Sequence, residues 1–238
     1  MGYKLTGMYI WSQKVRPSGR QPWANTLVYY NINDDDTSST IYDLSWNSVD
    51  QTWQWTGSYT TDADYGRVAV FDWSVYAESN SIVNFWSECT FIALFLRNNT
   101  SNLHAIVCEC ASSSFYPIGL TCADPSPTTY QWWFGWVWAS DPKAIESSSS
   151  AVANQWVMLA STRASDWTAK IYINWVLDNT VAWMNNPNYS SWNYLRIWNR
   201  RDNYFKLEWK FKLFIGENRT WTATEIADLA TEYGFTVS

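Results

Sequence analysis

Short runs of β-branched and aromatic residues recur along the chain, and each run is bounded by Asn, Asp, Ser, Gly or Pro. Some of them alternate: Ile171 and Ile173 fall on one side of a strand, and Lys170 and Tyr172 on the other. A period of two is typical of a strand with one face in a core. Many such runs without intervening helices predict a sandwich or a closed barrel. The clearest predicted strands are Thr26–Asn31, Arg67–Asp72, Thr90–Arg97, Leu103–Glu109, Gln155–Ser161, Ala169–Asn174, Tyr194–Asn199 and Leu207–Ile215.

One helix is predicted, near the C-terminus. Thr222 is followed three residues later by Glu225, which is the capping-box pattern of a helix start. Gly234 is typical of a helix end. We expect the helix to lie across the sandwich and to bury one apolar stripe, made of Ile226, Leu229, Ala230 and Tyr233. The serine run Ser147–Ser150, in contrast, is predicted to be a loop between strands.

The charge is unevenly distributed along the chain. The net charge of −6 argues against a nucleic-acid partner and against binding to an anionic membrane. Residues 1–22 nevertheless carry four basic side chains and no acidic one. We interpret residues 1–22 as an arm or docking strand and residues 23–238 as one domain; the alternative is a basic N-terminus without a role.

The chain shows no secretory signal, because its first residues lack an apolar segment and a cleavage site. The longest apolar run, Phe91–Leu96, is too short to span a bilayer, so no membrane insertion is expected. If the protein is extracellular, assembly into a particle or release by lysis would explain how it gets there without a classical signal peptide; otherwise we expect it in the cytoplasm until lysis.

The four cysteines do not form a recognisable metal motif. Cys108 and Cys110 are two residues apart and would share one strand face, and His104 is the single histidine of the chain. This spacing argues against zinc. Buried thiols are favoured for these two residues and for Cys89 and Cys122, although a disulfide stays open.

Five segments carry longer patterns. Tyr65–Ser74 reads YGRVAVFDWS, and Lys170–Leu177 reads KIYINWVL. The others are Asp43–Asn47 (DLSWN), Leu195–Asn199 (LRIWN) and Glu208–Ile226. In this order they resemble the laminin-G-like branch of the concanavalin-A-like lectin/glucanase superfamily, over nearly the whole chain. The resemblance implies an all-β, two-sheet antiparallel jelly-roll sandwich with one short C-terminal helix.

Tryptophan stands at four positions where that family carries glycine: Trp46, Trp73, Trp175 and Trp198. Trp11, Trp167 and Trp192 also lie in turn-like contexts. The chain has 19 Trp and only 9 Gly, whereas an average chain of this length has roughly 17 glycines. We hypothesise that a reassigned stop codon, read as glycine in the source organism, was translated as tryptophan. The alternative is a genuinely Trp-rich binding protein.

The turn at Asn174 and Trp175 is the clearest case in which tryptophan at a glycine position conflicts with backbone geometry. An Asn-Gly hairpin turn needs positive φ at both central residues, which Gly supplies freely and Trp does not.

Two groups of residues are candidates for binding. The segment 130–138 is the densest aromatic stretch, and an exposed strand face there would stack on sugars, whereas a buried one would be core. Its candidate ligand-binding residues are Tyr130, Trp132, Trp136 and Trp138. Asp34 and Asp36 are candidate calcium ligands because members of the superfamily often hold calcium in rim loops; the alternative is a solvated acidic turn.

Catalysis is not expected. The glucanases of this superfamily carry an E-x-D-x-x-E strand, and no Glu of this chain has that spacing. A Ser-His-Asp triad would need His104, which lies in an apolar run. The resemblance therefore implies a non-enzymatic, lectin-like module that binds a glycan or cell-surface polysaccharide.

Residues 8–17, with Tyr9, Trp11, Lys14 and Arg16, resemble the opening strand of some phage and prophage tail-associated proteins. This resemblance implies display on a phage or virion, with virion or tail neighbours contacted through residues 1–22. The alternatives are a purely structural virion or decoration subunit that packs on its neighbours, and a glycoside hydrolase with an unrecognised site.

Overall fold

The computed structural model describes residues 24–32, 39–54, 57–71, 75–85, 88–98, 104–110, 118–122, 129–134, 143–182, 184, 194–197 and 209–236. Almost all regular structure in these residues is extended. In chain order the strands are β1 (Thr26–Asn31), β2 (Thr40–Ile41), β3 (Gln51–Gln54), β4 (Ser58–Asp62), β5 (Gly66–Phe71), β6 (Tyr76–Ile82), β7 (Cys89–Arg97), β8 (His104–Cys110), β9 (Ile118–Cys122), β10 (Thr129–Phe134), β11 (Lys143–Ser150), β12 (Trp156–Arg163), β13 (Ala169–Ile173), β14 (Val176–Val181), β15 (Tyr194–Ile197) and β16 (Trp209–Glu217). The helix α1 follows at Ala223–Glu232.

The strands form two antiparallel sheets of eight strands each. The first sheet has the order β14-β13-β12-β7-β16-β5-β4, with β1 also paired to β16. The second sheet has the order β11-β10-β9-β8-β15-β6-β3-β2. Buried side chains of both sheets form one core between them; Phe95 of the first sheet, for example, meets Tyr130 of the second at 6.2 Å between ring centroids. The predicted two-sheet sandwich is confirmed.

Helix α1 covers the outer face of the first sheet. It begins at the predicted N-cap, with both hydrogen bonds of the capping box formed between Thr222 and Glu225. Its predicted apolar stripe is buried against Ile92, Met158 and Tyr172 of the sheet. The central strand β7 therefore has covered residues on both faces, which explains its continuous apolar sequence.

The serine run belongs to a strand, so the prediction of a loop at Ser147–Ser150 was wrong. These residues form the end of β11, and Ser147 Oγ accepts the Tyr130 N–H at 2.9 Å. Asp178 of β14 accepts backbone N–H groups from Ser148 and from Ser149, the latter at 3.2 Å. Small polar residues are tolerated here because β11 is the edge strand of the second sheet.

Three further expectations concern a single residue, membrane insertion and the N-terminal segment. Cys89 is a buried thiol that forms no disulfide, as favoured from the sequence. In the part of the chain that the structure describes, no helix is long and apolar enough to cross a membrane. The predicted arm at residues 1–22 lies outside the described residues and stays a prediction.

The backbone at Asn174 and Trp175 has φ of 49° and 70°, so the expected positive φ at both residues of the β13–β14 turn is confirmed. Trp167, in the turn between β12 and β13, has φ of 68°. Trp46 is 76% exposed but is not in the left-handed region. The other tryptophans of this hypothesis, Trp11, Trp73, Trp192 and Trp198, lie outside the described residues.

Replacing Trp175 by Gly is expected to raise the free energy of unfolding by about 1 kcal/mol. The gain comes from relieving left-handed strain, which typically costs about 1–3 kcal/mol. It is reduced by the lost contact with Phe235, whose ring centroid lies 5.7 Å from that of Trp175, and by the greater freedom of Gly in the unfolded chain. Urea unfolding of both proteins measures the difference.

The matched control is Trp175→Ala, which removes the same ring but keeps a Cβ at positive φ. We expect the Ala variant to be less stable than the Gly variant, because only Gly adopts this conformation freely. Equal stability of the two variants would show that positive φ carries no penalty at this turn, and the structural support for a glycine codon at residue 175 would be lost.

Candidate functional site

A cleft of about 390 Å³ opens beside the N-terminus of α1, on the outer face of the first sheet. One wall is formed by β12, β13 and the turn between them, and the other by the chain that enters α1. The sheet side contributes Thr162, Ala164, Asp166, Thr168, Lys170 and Tyr172; the helix side contributes Thr220, Trp221, Thr222 and Ala223.

The alternation along β13 places its polar side chains in this cleft. Ile171 is fully buried in the core between the sheets, so Lys170 and Tyr172 point to the outer face. In the antiparallel register Thr162 of β12 lies opposite Lys170, which brings its hydroxyl to the same face. The cleft therefore forms where polar side chains of β12 and β13 lie on a part of the outer face that α1 does not cover.

Tyr172 is a largely buried polar residue of the cleft, with a side chain that is only 3% exposed. Its hydroxyl is open to the cleft and forms no hydrogen bond within the described part of the chain. Burial raises the pKa of Tyr172 above its ordinary value, so the phenol stays protonated and can donate. A ligand in the cleft can therefore accept a hydrogen bond from this hydroxyl in place of solvent.

Lys170 and Asp166 supply opposite charges. Lys170 is half-buried, and its ammonium has no ion-pair or hydrogen-bond partner among the described residues. Asp166 is exposed at the turn and accepts the Thr168 N–H at 2.9 Å. This hydrogen bond holds the pKa of Asp166 below its ordinary value, so Asp166 is a carboxylate at neutral pH.

The helix side of the cleft adds a backbone donor and a buried tryptophan. Thr222 Oγ1 accepts the Glu225 N–H at 3.2 Å, but the N–H of Ala223, the first helical residue, has no acceptor within a helix. Trp221 is 3% exposed, and its indole N–H donates to Glu217 at 2.6 Å, which fixes the ring in the wall. The cleft thus offers hydrogen-bonding groups of both kinds, while the buried Trp221 ring supports its wall.

Of the residues predicted to bind ligand, Tyr130 is core. It is fully buried, packs on Phe95 and accepts the Val152 N–H at 3.3 Å, so it offers no stacking face and this assignment was wrong. The physical reason is that β10 turns this side chain toward the first sheet. Trp132 lies on β10, but its side chain is outside the described residues, as are Trp136 and Trp138.

The predicted calcium ligands Asp34 and Asp36 also lie outside the described residues, and calcium binding there stays a prediction. Within the described ranges no group of three His, Cys, Asp or Glu side chains is placed to hold a metal ion.

The sequence analysis missed the cleft. Its residues come from segments 162–172 and 220–223, which are far apart in the chain. One signal could have found part of it: the alternation in β13 puts Lys170 and Tyr172 on the same outer face that the predicted helix had to cover.

No protein-family model matches the chain, and no curated protein sequence matches it at a significant level. Solved structures do match in fold. The binding domain of Paraclostridial Mosquitocidal Protein 1 has a TM-score of 0.67 at 13% identity, over 88% of this chain and 52% of that one. The binding domain of botulinum neurotoxin DC, solved with rat synaptotagmin II, has a TM-score of 0.66 at 12% identity, over 89% and 52%.

Domain 4 of AbnA, an extracellular arabinanase of Geobacillus stearothermophilus solved with arabinotriose, has a TM-score of 0.67 at 13% identity. It is matched over 87% of this chain and 98% of its own length, whereas this chain spans about half of the two toxin binding domains. At these identities the likeness shows the fold alone: the chain is an antiparallel β-sandwich with one short helix, of the architecture found in these binding domains.

Proposed function

We propose that this chain is a non-enzymatic, lectin-like module that binds a glycan in the cleft beside α1. The observation that carries the proposal is the Tyr172 hydroxyl, which opens into a cleft lined by Lys170 and Asp166 and has no hydrogen-bond partner in the described part of the chain. The arabinanase domain of similar fold, solved with arabinotriose, supports a sugar as the ligand class.

The size and lining of the cleft suit a saccharide. Its volume of about 390 Å³ falls within the range of about 300–1,000 Å³ that is usual for small-molecule sites. Sugar hydroxyls both donate and accept, and the cleft offers Lys170 as a donor, Asp166 as an acceptor and threonine hydroxyls as both.

The binding test combines a glycan array with calorimetry on the full chain. We expect at least one saccharide to bind, and Tyr172→Phe to weaken that binding about three- to tenfold, because one neutral hydrogen bond contributes about 0.5–1.5 kcal/mol. The matched control is Tyr194→Phe, since Tyr194 is half-buried on β15 of the second sheet. Absence of any glycan binding would contradict the proposal. So would an unchanged affinity of Tyr172→Phe for the bound glycan.

The non-enzymatic part of the proposal rests on the carboxylates. Glycoside hydrolysis uses a pair of carboxyl groups across the scissile bond, and Asp166 is the one carboxylate among the described residues that line the cleft. Incubation of the chain with each bound polysaccharide is expected to release no new reducing ends. Release that is lost in Asp166→Asn would instead favour the glycoside-hydrolase alternative.

The proposal extends to display on a phage or virion surface, supported by the likeness of residues 8–17 to tail-associated proteins. Peptide mass spectrometry of particle and cell fractions tests it. Peptides in the particle fraction support display there, and peptides confined to cells contradict it. The same spectra show whether residue 175 is Gly or Trp, which tests the hypothesis of a reassigned stop codon.

A further inference from the structure

The interior of the cleft presents donors from two separate elements. Lys170 and Tyr172 of β13 supply an ammonium and a protonated phenol, and an ammonium has no acceptor capacity. The Ala223 N–H supplies a third donor at the positive end of the α1 dipole. Such convergence of donors around a hydroxyl that opens into the cleft favours a ligand group that only accepts hydrogen bonds.

The acidic side chains around the cleft do not neutralise Lys170 by direct contact. Asp166 is exposed at the rim and is held by the Thr168 N–H. The Glu225 carboxylate accepts hydrogen bonds from Arg219 Nη1 at 2.9 Å and from the Thr222 N–H at 2.8 Å, so both of its oxygens already have partners. Asp166 and Lys170 attract each other electrostatically, but they form no direct ion pair, so the N–H donors of Lys170 can still bond to a ligand in the cleft.

We propose that the cleft is selective for a saccharide that carries an anionic substituent, whose charged oxygens contact Lys170, Tyr172 and the N-terminus of α1. This inference rests on the proposed glycan-binding function and narrows its ligand class. Hydrogen bonds to an ionised oxygen are shorter and stronger than neutral ones, so the anionic group would be the main anchor. A carboxylate and a sulfate share this chemistry.

The net charge of the chain helps to distinguish a local anion-binding site from a general electrostatic attraction of polyanions. At a net charge of −6 the chain repels polyanions at long range. A preference for an acidic saccharide must then come from a local site.

The test uses pairs of saccharides that share a backbone and differ in charge. Oligogalacturonate is compared with its methyl ester, and dextran sulfate oligosaccharides with dextran, by calorimetry on the full chain. We expect the charged member of at least one pair to bind about tenfold more tightly or better, and the two pairs distinguish a carboxylate from a sulfate.

Three variants, each of which removes one charge, test whether the residues of the cleft cause the preference for the charged saccharide. Lys170→Met is expected to remove about tenfold of the preference while neutral saccharides still bind, and Asp166→Asn to strengthen binding of the charged member about twofold. Asp228→Asn is the control, because Asp228 is exposed on α1 and is not among the cleft residues. We expect it to leave both affinities unchanged, which separates the local site from net charge.

Equal affinity for both members of each pair would overturn the anionic preference and leave glycan binding intact. A preference that survives in Lys170→Met, with an unchanged melting temperature, would also overturn it. Failure of every charged and neutral saccharide to bind would overturn the proposed function together with this inference.

Discussion

Asp43→Ala is expected to lower the free energy of unfolding by about 3–5 kcal/mol, because two buried N–H groups lose their acceptor and each such loss costs about 1–3 kcal/mol. Asp43 is 6% exposed, and its carboxylate accepts three backbone N–H groups. They come from Tyr29 at 2.8 Å, Ser45 at 2.9 Å and Val49 at 2.9 Å. The carboxylate thus joins β1 to the loop that follows β2.

Without Asp43 these N–H groups would lose their acceptor, two of them in residues that are themselves buried, Tyr29 and Val49. Alanine also leaves a small void where water enters poorly. Guanidinium unfolding measures the loss. Asp64→Ala is the matched control, since Asp64 is an exposed aspartate in the β4–β5 turn, and we expect a change within about 0.5 kcal/mol. A loss below 1 kcal/mol for Asp43→Ala would contradict this account of the loop.

Gly216→Ala is expected to destabilise the chain by about 2–3 kcal/mol, the range for overpacking a well-filled core. A Cβ at this position of β16 would lie 2.7 Å from two ring carbons of Phe85 and 2.9 Å from a methyl carbon of Val28. Phe85 is fully buried and packs on Phe91 at 4.4 Å between centroids, so its ring cannot move aside freely. The φ of Gly216 is not in the left-handed region, and the penalty is therefore steric.

A double-mutant cycle with Phe85→Leu separates this clash from other effects. In the Leu background the cost of Gly216→Ala is expected to fall by at least about 1 kcal/mol, because contacting residues couple and the smaller side chain leaves room. An equal cost in both backgrounds would show that Phe85 is not the obstacle.

Local signals predicted most of the fold. The capping box at Thr222, the apolar stripe of α1 and the alternation in β13 each depend on residues within a few positions of one another. The serine run failed because its strand is stabilised from a distance: Asp178 and Tyr130 supply the contacts, and neither is near it in sequence.

The binding residues were harder to predict, because exposure is a tertiary property. The aromatic pattern at Tyr130 fits a stacking face and a core face equally well, and the position of the first sheet decides for core. The cleft depends on where α1 begins relative to the β12–β13 turn. The alternation in β13 places Lys170 on the outer face, but no local pattern shows which part of that face the helix leaves open.

The contact of Asp178 with Ser148 and Ser149 also affects how copies of the domain interact with one another at high concentration. Unpaired backbone N–H groups at a sheet edge promote aggregation, because another chain can bind to them as a further strand. Here one carboxylate from the edge of the first sheet occupies such groups at the edge of the second. Neighbouring copies held at high density would therefore find these donors already taken, and lateral fusion of their sheets at this edge would be disfavoured.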